Sequence, residues 1–147
     1  MTGPRLAVRA VTVAAGRLLL VNAYPGDASD LWCAPGGGAE AGVGLHDNLV
    51  REVREETGLA VRPGRLLGLS EFHNPATGFH QVDLLFRARL AGSGEAVLAD
   101  PTGAVNRLRW ASEAELGSLW VKPDLLRRVA FGTGRAPVHE GLHLMVP

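Results

Sequence analysis

Thiols are almost absent from this chain. Cys33 is its single cysteine, so no disulfide can form within the chain and no thiolate cluster can hold zinc; a reducing, cytoplasmic setting is expected. Surplus charge is absent as well. Fifteen Lys and Arg balance fifteen Asp and Glu, so no long-range field draws in a nucleic-acid backbone or an anionic membrane. No nucleic-acid partner is expected, and an anionic ligand has to be met by a local site. Apolar runs of membrane-spanning length are missing, and Met1 to Ala10 is broken by Arg5 and Arg9, so neither export nor membrane insertion is expected. Aromatic residues make up only 5%, which leaves few rings, among them Tyr24, Trp32 and Phe79, that could stack on a base.

What is present suits a folded domain. With 46% apolar residues over 147 positions, the chain can bury a core without cross-links, and residues 1–147 are expected to form one domain. Leu6 to Val13 and Arg17 to Val21 read as a hairpin around Ala15-Gly16. Leu31 to Ala34 is a strand stub, followed by the sharp segment Pro35-Gly36-Gly37-Gly38 and a loop through Gly44. Leu45 to Thr57 changes period: Leu45, Leu49, Val50 and Val53 share one side of a helix, and Gly58 stops it. Leu59 to Leu69 and Phe79 to Leu90 read as strands joined through Asn74 to Gly78. A Gly-rich loop from Ala91 to Gly103 precedes a strand near Leu108 to Trp110. Ser112 caps a short helix, and Pro123 opens another that ends near Gly132. Strands and helices without regular alternation predict a mixed α/β domain, not a doubly wound one.

The chemistry concentrates in Arg51-Glu52-Val53-Arg54-Glu55-Glu56. Glu52, Glu55 and Glu56 stand at relative positions zero, three and four, which places them on one helix face beside the apolar stripe. Like charges this close destabilise an isolated helix by roughly a few tenths of a kcal/mol per pair, so the cluster needs a counter-charge. Arg51 and Arg54 supply part of it. Hard divalent cations, Mg2+ or Mn2+, suit oxygen donors better and bring a phosphate ligand with them. The backbone of Gly36 to Gly38 can approach the same place and offer carbonyls or amides. Charged helix faces are most often merely solvated, and that reading would stand if the helix stood alone.

It does not stand alone. From Gly37 to Leu59 the chain resembles the Nudix box, G-x5-E-x7-R-E-U-x-E-E-x-G-U with U aliphatic, departing from it only where Val43 replaces the first Glu. Trp32 before Ala34-Pro35-Gly36-Gly37, and Leu108-Arg109-Trp110 ahead of Ser112 to Leu116, are also similar to Nudix domains. The resemblance implies an α/β fold, a Nudix-type α/β/α sandwich with a mixed β-sheet. It implies a small-molecule nucleotide substrate, a nucleoside diphosphate linked to another moiety, whose phosphoanhydride bond is hydrolysed. Glu52, Glu55 and Glu56, with the carbonyl of Gly36, would hold Mg2+ or Mn2+. Arg51 would support catalysis, either Glu52 or Glu55 would be the general base, and Glu95 or Asp100 would be an acid outside the box. Trp32, Gly37, Gly38 and Phe79 are the candidate substrate-binding residues. Pro75, in the turn beyond the box, leans toward an ADP-ribose or nucleotide-sugar substrate. Valine at 43 cannot pair with Arg51 as the family's Glu does. Glu40 or Glu55 is left to take that pairing; otherwise the chain is a catalytically weak or silent nucleotide- or RNA-binding Nudix domain. A homodimer is left open.

One competing signature is present. His139-Glu140-Gly141-Leu142-His143 spells H-E-x-x-H, which binds zinc only when a stable helix presents both imidazoles. Pro137 before it and Gly141 within it argue against that helix, and against a zinc peptidase.

Overall fold

The computed structural model describes residues 3–22, 29–92, 107–134 and 136–144. Tyr24, Glu95 and Asp100 lie outside the described residues.

Five strands form a mixed sheet in the order β4 (Gly36–Gly38), β1 (Arg5–Val11), β6 (Phe79–Leu90), β5 (Val61–Asn74), β8 (Val138–Leu144). β1 runs parallel to β6 and β5 parallel to β8, while β4 and β5 lie antiparallel to their partners β1 and β6. A second, antiparallel sheet joins β2 (Val13–Ala14), β3 (Arg17–Asn22) and β7 (Arg107–Ser112). The expected hairpin is thus divided at Thr12. Its residues before Thr12 belong to the first sheet and those after it to the second, and the Thr12 carbonyl accepts the Leu19 N–H at 2.9 Å. Ala15 and Gly16 close the β2–β3 turn with φ of 50° and 74°, the pair of positive angles that a two-residue hairpin turn demands.

Helix α1 (Leu45–Thr57) covers one face of the mixed sheet. Leu49 and Val53 are fully buried there against Val8, Ala10, Phe86 and Ala88, each such side chain contributing about 1.5–3 kcal/mol of burial. Gly58 ends the helix in the left-handed region at φ 73°, as expected. On the other face, α2 (Glu113–Leu116) and α3 (Leu125–Val129) bury Leu116, Leu125, Leu126 and Val129 against Val11, Leu67, Leu85, Leu18 and Leu20. Helices on both faces of a mixed sheet make the α/β/α sandwich. No helix among the described residues is long and apolar enough to cross a membrane.

Two strands exceed the sequence expectation for one reason. Ser70 to Asn74 continues β5 as far as the turn, paired with Asp83 to Phe79, and β8 forms where no strand was expected. Both segments occupy mostly half-buried or exposed positions and pair with a mixture of polar and apolar residues, so no sustained apolar alternation marks them. The H-E-x-x-H residues therefore lie on a strand. His139 Nε2 contacts Glu71 at 2.7 Å, and His143 Nε2 contacts Glu140 at 2.6 Å. The two imidazoles are engaged by different carboxylates, an arrangement unlike the helical zinc site.

Candidate active site

Antiparallel pairing sets Gly36, Gly37 and Gly38 opposite Arg9, Val8 and Ala7 of β1. α1 packs on the same strand through Val8 and Ala10, so its glutamate face comes down on the glycine segment. Glu56 is only 9% exposed, and its Oε2 accepts the Gly36 N–H at 3.2 Å. Glu52 lies across Gly37 so closely that a Cβ built on that glycine would stand 2.6 Å from the carboxyl carbon. Two carboxylates thus rest on adjacent backbone units of one edge strand. Glu55 faces outward and accepts from Arg51 Nη1 at 3.1 Å.

Arg51 is the hub of the charge balance. Its Nη2 lies 3.2 Å from Glu40 Oε1 and 3.3 Å from Glu52 Oε1, and also donates to Asn48 Oδ1 at 3.2 Å. Both acids considered for the pairing that Val43 cannot make, Glu40 and Glu55, contact this guanidinium. Burial pulls the Arg51 pKa down, but the hydrogen bond to Glu55 and the fields of Glu40 and Glu52 outweigh it and raise the pKa overall. The arginine stays charged.

Asn48 is the residue that sequence reasoning missed. Fully buried, it donates from Nδ2 to the Gly38 carbonyl at 3.0 Å and accepts the Glu40 N–H at 3.1 Å. It ties both ends of the Gly38–Glu40 turn to α1. The expected outcome of Asn48→Ala is a loss of about 2–3 kcal/mol, because the half-buried Glu40 amide and Gly38 carbonyl both lose their partner, and a melting temperature lowered by roughly 5–10 °C. A thermal melt that overlays the native curve would show that the loop does not depend on this side chain.

Burial raises the Glu52 pKa; Arg51 opposes the rise and Glu55 adds to it. The folded protein therefore binds that proton more tightly than the unfolded chain does. In the absence of metal, stability contributed by the protonated form is lost as pH climbs from the ordinary carboxylate range through the raised value. Melting curves in EDTA across that window should fall with pH in the native protein and fall less steeply in Glu52→Gln. Equal slopes would place the titration elsewhere.

The NUDIX domain family model matches residues 3–131. The chain belongs to the Nudix family. Among relatives, YjhB of Bacillus subtilis, provisionally named an ADP-ribose pyrophosphatase, is 30% identical over 96 residues; the match covers 63% of this chain, which spans 45% of that protein's length. A MutT Nudix hydrolase from Burkholderia pseudomallei shares 28% identity with a TM-score of 0.68, over 78% of this chain and 87% of its own. A Nudix hydrolase from Nitrosomonas europaea superposes with a TM-score of 0.72 at 25% identity, over 86% of both chains.

Against the Nudix box, the structure brings Gly36, Gly37, Arg51, Glu52 and Glu56 together and leaves Glu55 at the rim beside Arg51. Among the described residues no group of three or more acidic, imidazole or thiol side chains is placed to hold a metal ion by itself. Mg2+ does not need one, since it is bound through a few carboxylates together with water and substrate phosphate. Hard oxygen donors from Glu52 and Glu56, over a strand whose glycines leave room for them, fit that requirement. Gly38 lies under Arg5, whose Nη2 would be 2.5 Å from a Cβ there. Trp32 is 8% exposed and packed in the α3-side core, with the Arg107 guanidinium carbon 5.3 Å from its ring centroid. Phe79 opens β6, six residues before Leu85, which stands level with Gly36 across Arg9; that is roughly 20 Å along the strand. Neither ring is brought to the glutamates.

Proposed function

We propose that this Nudix protein hydrolyses the phosphoanhydride bond of a nucleoside diphosphate linked to another moiety, of the ADP-ribose or nucleotide-sugar type, using Mg2+ or Mn2+ held by Glu52, Glu55, Glu56 and the Gly36 carbonyl. The observation that carries this reading is the seating of the Glu52 and Glu56 carboxylates on the Gly36–Gly37 edge strand. The provisional name of the Bacillus relative supports the substrate class. Bound there, a hard divalent cation would neutralise phosphate charge and acidify an attacking water.

The chain's own groups divide the remaining work. Glu56, fixed by the Gly36 N–H, keeps its carboxylate from rotating away. Arg51 restrains Glu52 and Glu55, which would otherwise repel each other. Glu52 is the carboxylate assigned to take a proton from water. Its place against the Gly37 backbone, beside Glu56, would set it next to a water that a bound cation acidifies. Arg51 can in turn balance the charge that this proton transfer changes.

The test is product release from a panel containing ADP-ribose, nucleotide sugars, dinucleoside polyphosphates and nucleoside triphosphates, with Mg2+, with Mn2+ and with EDTA. Metal-dependent release of nucleoside monophosphate from ADP-ribose or a nucleotide sugar is expected. Binding without turnover across the panel would make the protein a silent nucleotide-binding Nudix domain instead.

A further inference from the structure

Arg9 is a cation in the middle of an otherwise apolar strand. Val8 and Ala10 on either side pack in the α1 core, so by strand alternation the arginine projects from the opposite face of the sheet. Its Nη1 donates to the Ala34 carbonyl at 3.3 Å, and its Nε lies 3.5 Å from Asp83 Oδ2. The other oxygen of Asp83 accepts from Gln81 Nε2 at 2.7 Å. Ala34 is two residues before Gly36, whose N–H holds Glu56. Arg9 is itself the register partner of Gly36. The guanidinium therefore reaches the segment that leads into the glutamates' edge strand, from the face opposite α1.

Stability alone gives little reason for this pair. The Arg9 side chain is 18% exposed and that of Asp83 5%, and the buried Nε makes no hydrogen bond. A buried ion pair of such geometry returns little of its desolvation cost, and apolar residues of similar volume serve a core as well or better. Val11 and Leu85, close by, show that apolar packing is available on this face. Meanwhile Arg51 already spends its donors on Glu40, Glu52, Glu55 and Asn48. Arg9 carries five N–H donors in a planar fork, the shape that matches phosphate oxygens.

We propose that Arg9 is a phosphate-binding residue, which takes a non-bridging oxygen of the substrate diphosphate on the sheet side of the Glu52–Glu56 cluster, and that Asp83 is its positioning residue. This rests on the hydrolase reading above and adds to it a contact made by the protein itself. Burial opposes the charge on Arg9, but the fields of Asp83, Cys33, Glu56 and Glu52 keep it cationic. Gln81, by occupying one Asp83 oxygen, leaves the other facing Arg9.

Two variants test it. Arg9→Lys keeps the charge and loses the fork, while Arg9→Met with Asp83→Asn removes both charges so that neither is left buried alone. The readouts are KM and kcat for the best substrate of the panel at saturating Mg2+, Kd for its methylene-bridged non-hydrolysable analogue, the Mg2+ concentration for half-activity, and the melting temperature. Both variants should raise KM and Kd by about tenfold to a hundredfold, the worth of a charge-assisted hydrogen bond. The melting temperature and the Mg2+ requirement should stay near native values. Native KM and Kd in Arg9→Lys would overturn the proposal while leaving the hydrolase reading intact. So would a loss confined to Mg2+ affinity, which would make Arg9 a support of the acid cluster. No turnover by the native protein would remove both readings together.

Discussion

Replacing Glu56 by glutamine should lower kcat by about a thousandfold or more and leave the melting temperature within a degree or two of native. Glutamine has nearly the same shape, and its side-chain oxygen can still accept the Gly36 N–H that Glu56 accepts at 3.2 Å. What disappears is a negative charge on a site that must hold a divalent cation. Losing one carboxylate from such a site removes several kcal/mol of transition-state stabilisation, and about 4 kcal/mol corresponds to a thousandfold in rate. The fold should not suffer, since neutralising a side chain that is 9% exposed removes a charge from a place where charge is costly. Initial rates with saturating Mg2+, beside a thermal melt, check both halves. Full activity in this variant would sink the assignment of the metal to the helix face.

The residues that announced themselves in the sequence are those whose chemistry is local. α1 was legible from end to end because its apolar stripe and its stop at Gly58 lie within one continuous segment. Glu52 and Glu56 were legible because their spacing places them on one turn of it. Asn48 was not, since an amide on a helix says nothing until the Gly38–Glu40 turn arrives beside it. Arg9 looked like an interruption in an apolar run and nothing more; its meaning depends on β6 bringing Asp83 alongside. Trp32 is the converse case. A ring beside a glycine loop invites stacking on a base, yet tertiary packing buries it against the second helical layer. β8 and the far half of β5 escaped notice because their mostly half-buried or exposed positions mix polar and apolar residues, without the sustained alternation by which strands are recognised.

The same methyl group placed on neighbouring glycines should produce opposite kinds of damage. In Gly36→Ala the new Cβ would stand 1.9 Å from the Val8 carbonyl oxygen and 3.0 Å from the Arg9 Cα. These are backbone atoms of a buried strand and cannot swing aside, so β4 must separate from β1. The expected cost is about 3 kcal/mol or more, the upper part of the range for overpacking, with a melting temperature lowered by roughly 6–12 °C. In Gly37→Ala the obstructing atoms are those of the Glu52 carboxyl, 2.6–2.8 Å away, at the end of a flexible side chain. Glu52 can rotate off the strand at little cost to the fold, so the melting temperature should move by no more than about 2–4 °C, equivalent to about 1 kcal/mol. The displaced carboxylate can no longer meet a cation or water beside Glu56, and kcat should fall by about a hundredfold to a thousandfold, or about 3–4 kcal/mol. Melting curves and initial rates for the two variants, measured side by side, separate a glycine required by the strand from a glycine required by the chemistry. If Gly37→Ala kept native kcat, Glu52 would not need its seat on the strand, and its place in the site would have to be given up.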